Sequence, residues 1–121
     1  MEMRAFQELN AARGKTWNPN DSWDLNEWLI AVGAELGGAM AISRRMNRVK
    51  DGMWTRGEET NVVVLKGQMV ERLAHLYILL DLVFSYLEVS KERAVARKFN
   101  AIGEAWDYPE RMDIPGTDVR F

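Results

Sequence analysis

Apolar residues recur at three- and four-residue steps along most of the chain, the spacing of helices that bury one face. A first helix is predicted over about residues 2–12, stopping at Gly14, and Trp17-Asn-Pro-Asn-Asp has the proline and asparagine content of a turn. The second helix begins after Asp24, which can cap it while Glu27 reaches back in a capping box. Its apolar positions Leu25, Trp28, Leu29, Val32, Leu36, Ala39, Met40 and Met46 carry it to about Asn47, and Asp51-Gly52 ends it. The segment Met53 to Asn61 is polar and reads as a connection. A third helix runs from around Val64 to about Leu87; the three valines at 62–64 are too isolated to imply a sheet. Ser90 caps the last helix, which is expected to turn Val95, Phe99 and Ile102 inward and to end before Pro109. The pattern predicts an all-α protein, with no internal repeat and no low-complexity tract.

Between Leu76 and Leu87 the third helix is apolar nearly all round, so it calls for burial among several helices. One chain of 121 residues supplies few of them. The expected architecture is a single domain over residues 1–121, a four- to five-helix bundle completed by self-association as a homodimer or homotetramer. Leu76, Leu80 and Phe84 are then expected at or near the subunit contacts. A self-contained four-helix bundle is the alternative.

Composition narrows the partners. Hydrophobic residues make up 47% of the chain, enough for a core without cross-links. Sixteen Lys and Arg against 18 Asp and Glu give a net charge of -2, so no general basic field exists for DNA or RNA. Cysteine is absent, which removes disulfides, thiolate nucleophiles and Cys-ligated zinc together. The start MEMRAFQELN lacks a signal-peptide pattern, and the apolar run Leu76 to Phe84, interrupted by Asp81, is too short to span a membrane. A cytoplasmic protein is expected.

Two helix-spaced pairs carry the candidate chemistry, Glu35-x-x-Gly38 and Arg72-x-x-His75. Residues three apart share a helix face, so each pair presents its side chains together. The run Asn10-Ala-Ala-Arg, Trp17-Asn-Pro and Trp28 to Gly52 resembles the MazG-like family of all-α nucleoside triphosphate pyrophosphohydrolases, found in bacteria and phages. So do Glu71 to Leu82 and the tail from Lys98-Phe-Asn to Met112. In that family a Glu-x-x-Glu pair and a Glu-x-x-Asp pair converge on Mg²⁺, an ion that prefers several oxygen ligands. The resemblance aligns those four acids with Glu35, Gly38, Arg72 and His75, so only Glu35 remains as a metal ligand. Arg72 opposes a cation, and His75 is a ligand that Mg²⁺ seldom takes.

The formal charge at these positions thereby changes from about -4 to about 0 or +1. Mg²⁺ is the family's cofactor and is expected to be lost here. A pocket so altered can still hold a nucleotide or another phosphate-bearing small molecule, with Arg72 gripping phosphate oxygens through its planar fork. The candidate nucleotide-binding residues are Glu35, Arg72 and His75, with Trp28 as a possible stacking surface and Lys98 and Asn100 implied by the family tail. Arg72 can equally form a salt bridge with Glu35 in place of the metal. Gly38, with Gly33 and Gly37, can simply admit a neighbouring helix. Asp81 is expected to be a buried acid hydrogen-bonded to another helix. Three functions remain open: a catalytically impaired nucleotide-binding protein, an active pyrophosphohydrolase with an atypical metal site, or an assembly protein that keeps the fold alone.

Overall fold

Four α-helices account for the regular structure: α1 (Met3–Trp17), α2 (Leu25–Lys50), α3 (Val62–Tyr86) and α4 (Lys91–Ala105). The computed structural model describes residues 2–20 and 22–115, so Asp21, which closes the predicted turn, lies outside the described residues. No strand occurs among the described residues, and Val62 to Val64 form the first turn of α3. No single helix there is long and apolar enough to cross a membrane.

Local chemistry sets most helix ends. Asp24 Oδ1 accepts from the Glu27 N–H at 2.9 Å and Glu27 Oε1 accepts from the Asp24 N–H at 3.4 Å, completing the capping box. Asn61 Oδ1 accepts from the N–H groups of Val63 and Val64 at the start of α3, and Ser90 Oγ from Arg93 at the start of α4. Three helices then end in one way. The second residue after the end takes a left-handed conformation, and the next N–H reaches back five residues: Met53 to Arg48, Val89 to Phe84, Tyr108 to Gly103. Gly52 serves that position at no steric cost, whereas Glu88 (φ 57°) and Asp107 (φ 58°) occupy it despite their Cβ atoms.

The first helix corrects the sequence expectation. It continues past Gly14 to Trp17, with Gly14 inside it. A Cβ at Gly14 would lie 3.2 Å from the Leu82 side chain, so the glycine gives Leu82 room to pack instead of breaking the helix.

The chain divides into two compact units, Met1–Trp23 with Asp81–Phe121, and Asp24–Leu80, the boundary falling within α3. In the first, α1 and α4 pack together over Leu82, Val83 and Ala96. Its centre is polar as well as apolar. Asp81, fully buried, accepts from Asn10 Nδ2 at 2.8 Å and pairs with Lys91 Nζ at 2.7 Å, which also lies 4.7 Å from the Phe6 ring centre. Gln7 donates to the Val89 carbonyl at 2.9 Å and accepts from the Lys91 N–H at 2.9 Å. One network thus ties α1, the end of α3 and the start of α4. The expectation for Asp81 holds.

The predicted inward face of α4 does not. Val95, Phe99 and Ile102 are exposed at 38–46%, while Lys91, Ala96 and Gly103 are buried. Small side chains let α4 sit close to its neighbours, and Gly103 also makes room for Arg111. The bulky stripe is left outside.

In the second unit Trp28, Ala39 and Ile42 of α2 and Leu65 and Leu79 of α3 are buried. Leu25, Leu29, Leu36 and Met40, read from the sequence as one apolar series with Trp28, are exposed instead.

Removing one partner of a buried ion pair leaves the other charge stranded, at about 3–5 kcal/mol. Lys91→Ala is therefore expected to destabilise the protein by about that amount, and replacing Asp81 and Lys91 together by apolar residues of similar volume to recover much of it. Urea denaturation of the variants checks this; equal losses in the single and double variants would refute it.

Candidate functional site

The two motif pairs meet within the second unit. Glu35 and Gly38 lie one turn apart on α2, and Arg72 and His75 one turn apart on α3, so each helix offers both of its motif positions on one face. Glu35 is the hub. Its Oε2 accepts from Arg72 Nη1 at 3.3 Å and its Oε1 contacts His75 Nδ1 at 2.8 Å. The glutamate side chain is 15% exposed, against 49% for Arg72 and 55% for His75. The acid is sheltered and its two partners face water.

Gly38 explains how this is possible. A Cβ built there would sit 3.0 Å from Arg72 Cζ, 3.0 Å from Nη1 and 3.1 Å from Nε. Three nearly equal distances mean that the guanidinium lies flat against the glycine. Gly38 thus makes space for a side chain rather than for a neighbouring helix, and Gly33 and Gly37, with nothing within 4 Å of their Cβ positions, face open space. Sequence reasoning identified Gly38 as a missing acid but not as the socket for Arg72. The available signal was that a glycine and an arginine occupy two of the four aligned positions together.

Partial desolvation alone would raise the Glu35 carboxyl, but hydrogen bonds from Arg72 and His75, with their charges, outweigh it and hold the carboxyl below the ordinary glutamate value of 4.5. A depressed folded-state value contributes stability that is fully present above pH 4.5 and is lost as pH falls through the lower folded value.

These residues do not fit Mg²⁺. One carboxylate is present among the four motif positions, and a permanent cation already occupies one of its oxygens. Among the described residues no three His, Asp or Glu side chains converge as a metal site. Of the two acids of α3, Glu71 and Asp81, the latter is committed to Lys91 and Asn10.

The remaining candidates are placed as follows. Trp28 is 5% exposed and belongs to the core of its unit, so its ring faces are covered by protein. Lys98 and Asn100 lie on α4, in the other unit. The Asn100 amide clasps the tail, donating to the Met112 carbonyl at 2.9 Å and accepting from its N–H at 2.8 Å. At the end of α2, Arg48 pairs with Glu58 at 2.6 Å, and that hydrogen bond is the main reason the Glu58 carboxyl lies below its usual value.

Alanine substitution separates the glycines. Gly37→Ala is expected to stabilise by up to about 1 kcal/mol through helix propensity, since its Cβ meets nothing. Gly38→Ala should gain less or lose, because its methyl lifts Arg72 from Glu35. Thermal melts of both variants test the difference; an equal gain at the two sites would refute the socket. No family model, curated protein or solved structure matches this chain.

Proposed function

We propose that this chain is a MazG-like nucleotide-binding protein that has exchanged Mg²⁺-dependent hydrolysis for metal-free binding, acting in the cytoplasm as a sensor, a sponge or a regulatory subunit. One observation carries the reading: Glu35 is ion-paired with Arg72 and held at 2.8 Å by His75, with Arg72 seated on Gly38. Gly38, Arg72 and His75 each stand where the resembling family has an acid, and the replacements fit one another. Arg72 needs the room that Gly38 leaves, and Glu35 needs the charge that Arg72 brings. The metal's cohesive role is taken over by an ion-paired trio.

The trio keeps phosphate-binding chemistry within reach of solvent. Arg72 uses Nη1 on Glu35 and is about half exposed, so its other edge can meet phosphate oxygens. What it cannot supply is metal-activated water or the ion's neutralisation of transition-state charge. Lys98 comes into the reading through the family tail alone.

Turnover and binding are separable. Pyrophosphate release from NTPs and dNTPs with Mg²⁺ or Mn²⁺ is expected to be absent or very weak, while a nucleotide at a hundredfold excess over its Kd should raise stability by about 2.7 kcal/mol in a thermal-shift screen. Gly38→Glu alone collides with Arg72; only together with Arg72→Glu and His75→Asp should it restore metal binding. Robust turnover by the unaltered protein, or no shift with any nucleotide, would refute the proposal.

Self-association supplies the other half of the reading, as a homodimer or homotetramer. Val70, Leu73, Tyr77 and Leu80 are 40–56% exposed and follow one another along α3 at steps of three, four and three, the spacing of a helix–helix seam. On α2, Leu29, Leu36 and Met40 are 46–62% exposed and share a face with open Gly33. Of the residues expected at the contacts, Leu80 is exposed and Leu76 and Phe84 are half-buried. Light scattering at micromolar concentration should return a multiple of 13.9 kDa; the single-chain mass would refute self-association.

A further inference from the structure

Helix α4 carries a cavity of about 420 Å³, lined among others by Val89, Arg93, Ala94, Arg97, Lys98 and Ala101. At about 100° per residue, Ala94 and Ala101 run along the middle of one helix face with Arg97 beside them. Arg93 flanks that line on one side and Lys98 on the other. The floor is short and apolar, the rim cationic. Among the described residues none of the three cations forms an ion pair.

Arg93 departs from the rest of the chain. Other buried or half-buried cations among the described residues face an acid: Lys91 pairs with Asp81, Arg48 with Glu58, and the charge of Arg45 acts on the same Glu58. Arg93 is half-buried with no acid paired to it among the described residues, and its Nε, like those of Arg45 and Arg48, is closed to solvent and without a hydrogen-bond partner. Withdrawing a guanidinium N–H from water without a partner is unfavourable.

We propose that this cavity binds the phosphate groups of a small di- or triphosphate. Two guanidinium forks one turn apart match the several oxygens of linked phosphates, and Lys98 adds a third positive charge from the opposite rim. A single carboxylate would leave most of that charge unmatched. Alanines in the floor allow the ligand to approach the helix closely. The site lies wholly in the unit of α1 and α4 and does not depend on Arg72.

Isothermal titration of the full chain with inorganic tripolyphosphate, without metal and at low salt, tests this. The unaltered protein should bind saturably, and more weakly as salt rises. Arg93→Gln with Arg97→Gln should weaken binding about tenfold to a hundredfold, the loss of one charged hydrogen bond or more. Arg97→Lys, which keeps charge but loses the fork, should fall between. Arg56→Gln, which removes an exposed cation of the other unit, should bind unchanged. Among the described residues neither side chain forms an ion pair, so the double variant should melt as the parent does; if it unfolds, the two single variants give the same reading. Absence of binding up to millimolar tripolyphosphate, or undiminished binding by the variants, overturns the site. Loss in Arg72→Ala alone also overturns it, and places phosphate at the Glu35 trio instead.

Discussion

A carboxylate withdrawn from water needs an opposite charge beside it, and each unit of this protein is arranged around one such acid. In the first unit the acid is Asp81, wholly enclosed, held by Lys91 and Asn10. In the second it is Glu35, sheltered but not enclosed, held by Arg72 and His75. Both acids draw their partners from other helices or from beyond the end of their own, so satisfying the charge also fixes tertiary contacts. The difference in depth sets the difference in role. A fully buried pair is structural, because no ligand can reach it and loss of one member strands the other. A pair open to water on its cationic side can exchange protein contacts for a ligand's.

The placement of Lys91 shows the same constraint acting on a helix end. It is the first residue of α4, where the helix dipole is unfavourable to a positive charge. Asp81 offsets that penalty, and Gln7 takes up the Lys91 N–H that the first turn leaves free. The start of α4 is therefore held by tertiary partners as well as by the Ser90 cap. Arg93 and Arg97, further along the helix, form no ion pair among the described residues, and Arg93 is half-buried without one.

Small residues do a second part of the assembly. Gly14 admits Leu82, Gly38 admits the Arg72 guanidinium, and Gly103 lies against Arg111. In each case a glycine inside a helix forgoes helix propensity to let a larger group from elsewhere in its unit come close. The same economy leaves bulky side chains uncovered: Leu36 and Met40 on α2, Leu73 and Tyr77 on α3, Phe99 on α4. A chain of four helices cannot enclose every apolar face, and self-association is the means proposed for covering what remains.

Helix identity and most helix limits were legible in the sequence because they depend on neighbours within a few residues. The capping box at Asp24 and Glu27, the Ser90 cap, the left-handed Gly52 and the 3.6-residue periodicity all act locally. The four motif positions were legible for the same reason, since a three-residue spacing fixes a shared helix face. What the sequence could not rank was which apolar face turns inward: Val95, Phe99 and Ile102 make a better stripe than Ala96 and Gly103, yet the smaller residues are buried. That choice belongs to packing, where closeness of approach outweighs the hydrophobicity of any one side chain. Nor could it tell that Gly14 continues its helix, that Gly38 receives Arg72 or that Arg93 is left without an acid. Each of these depends on a side chain many residues away, and only tertiary structure brings the two together.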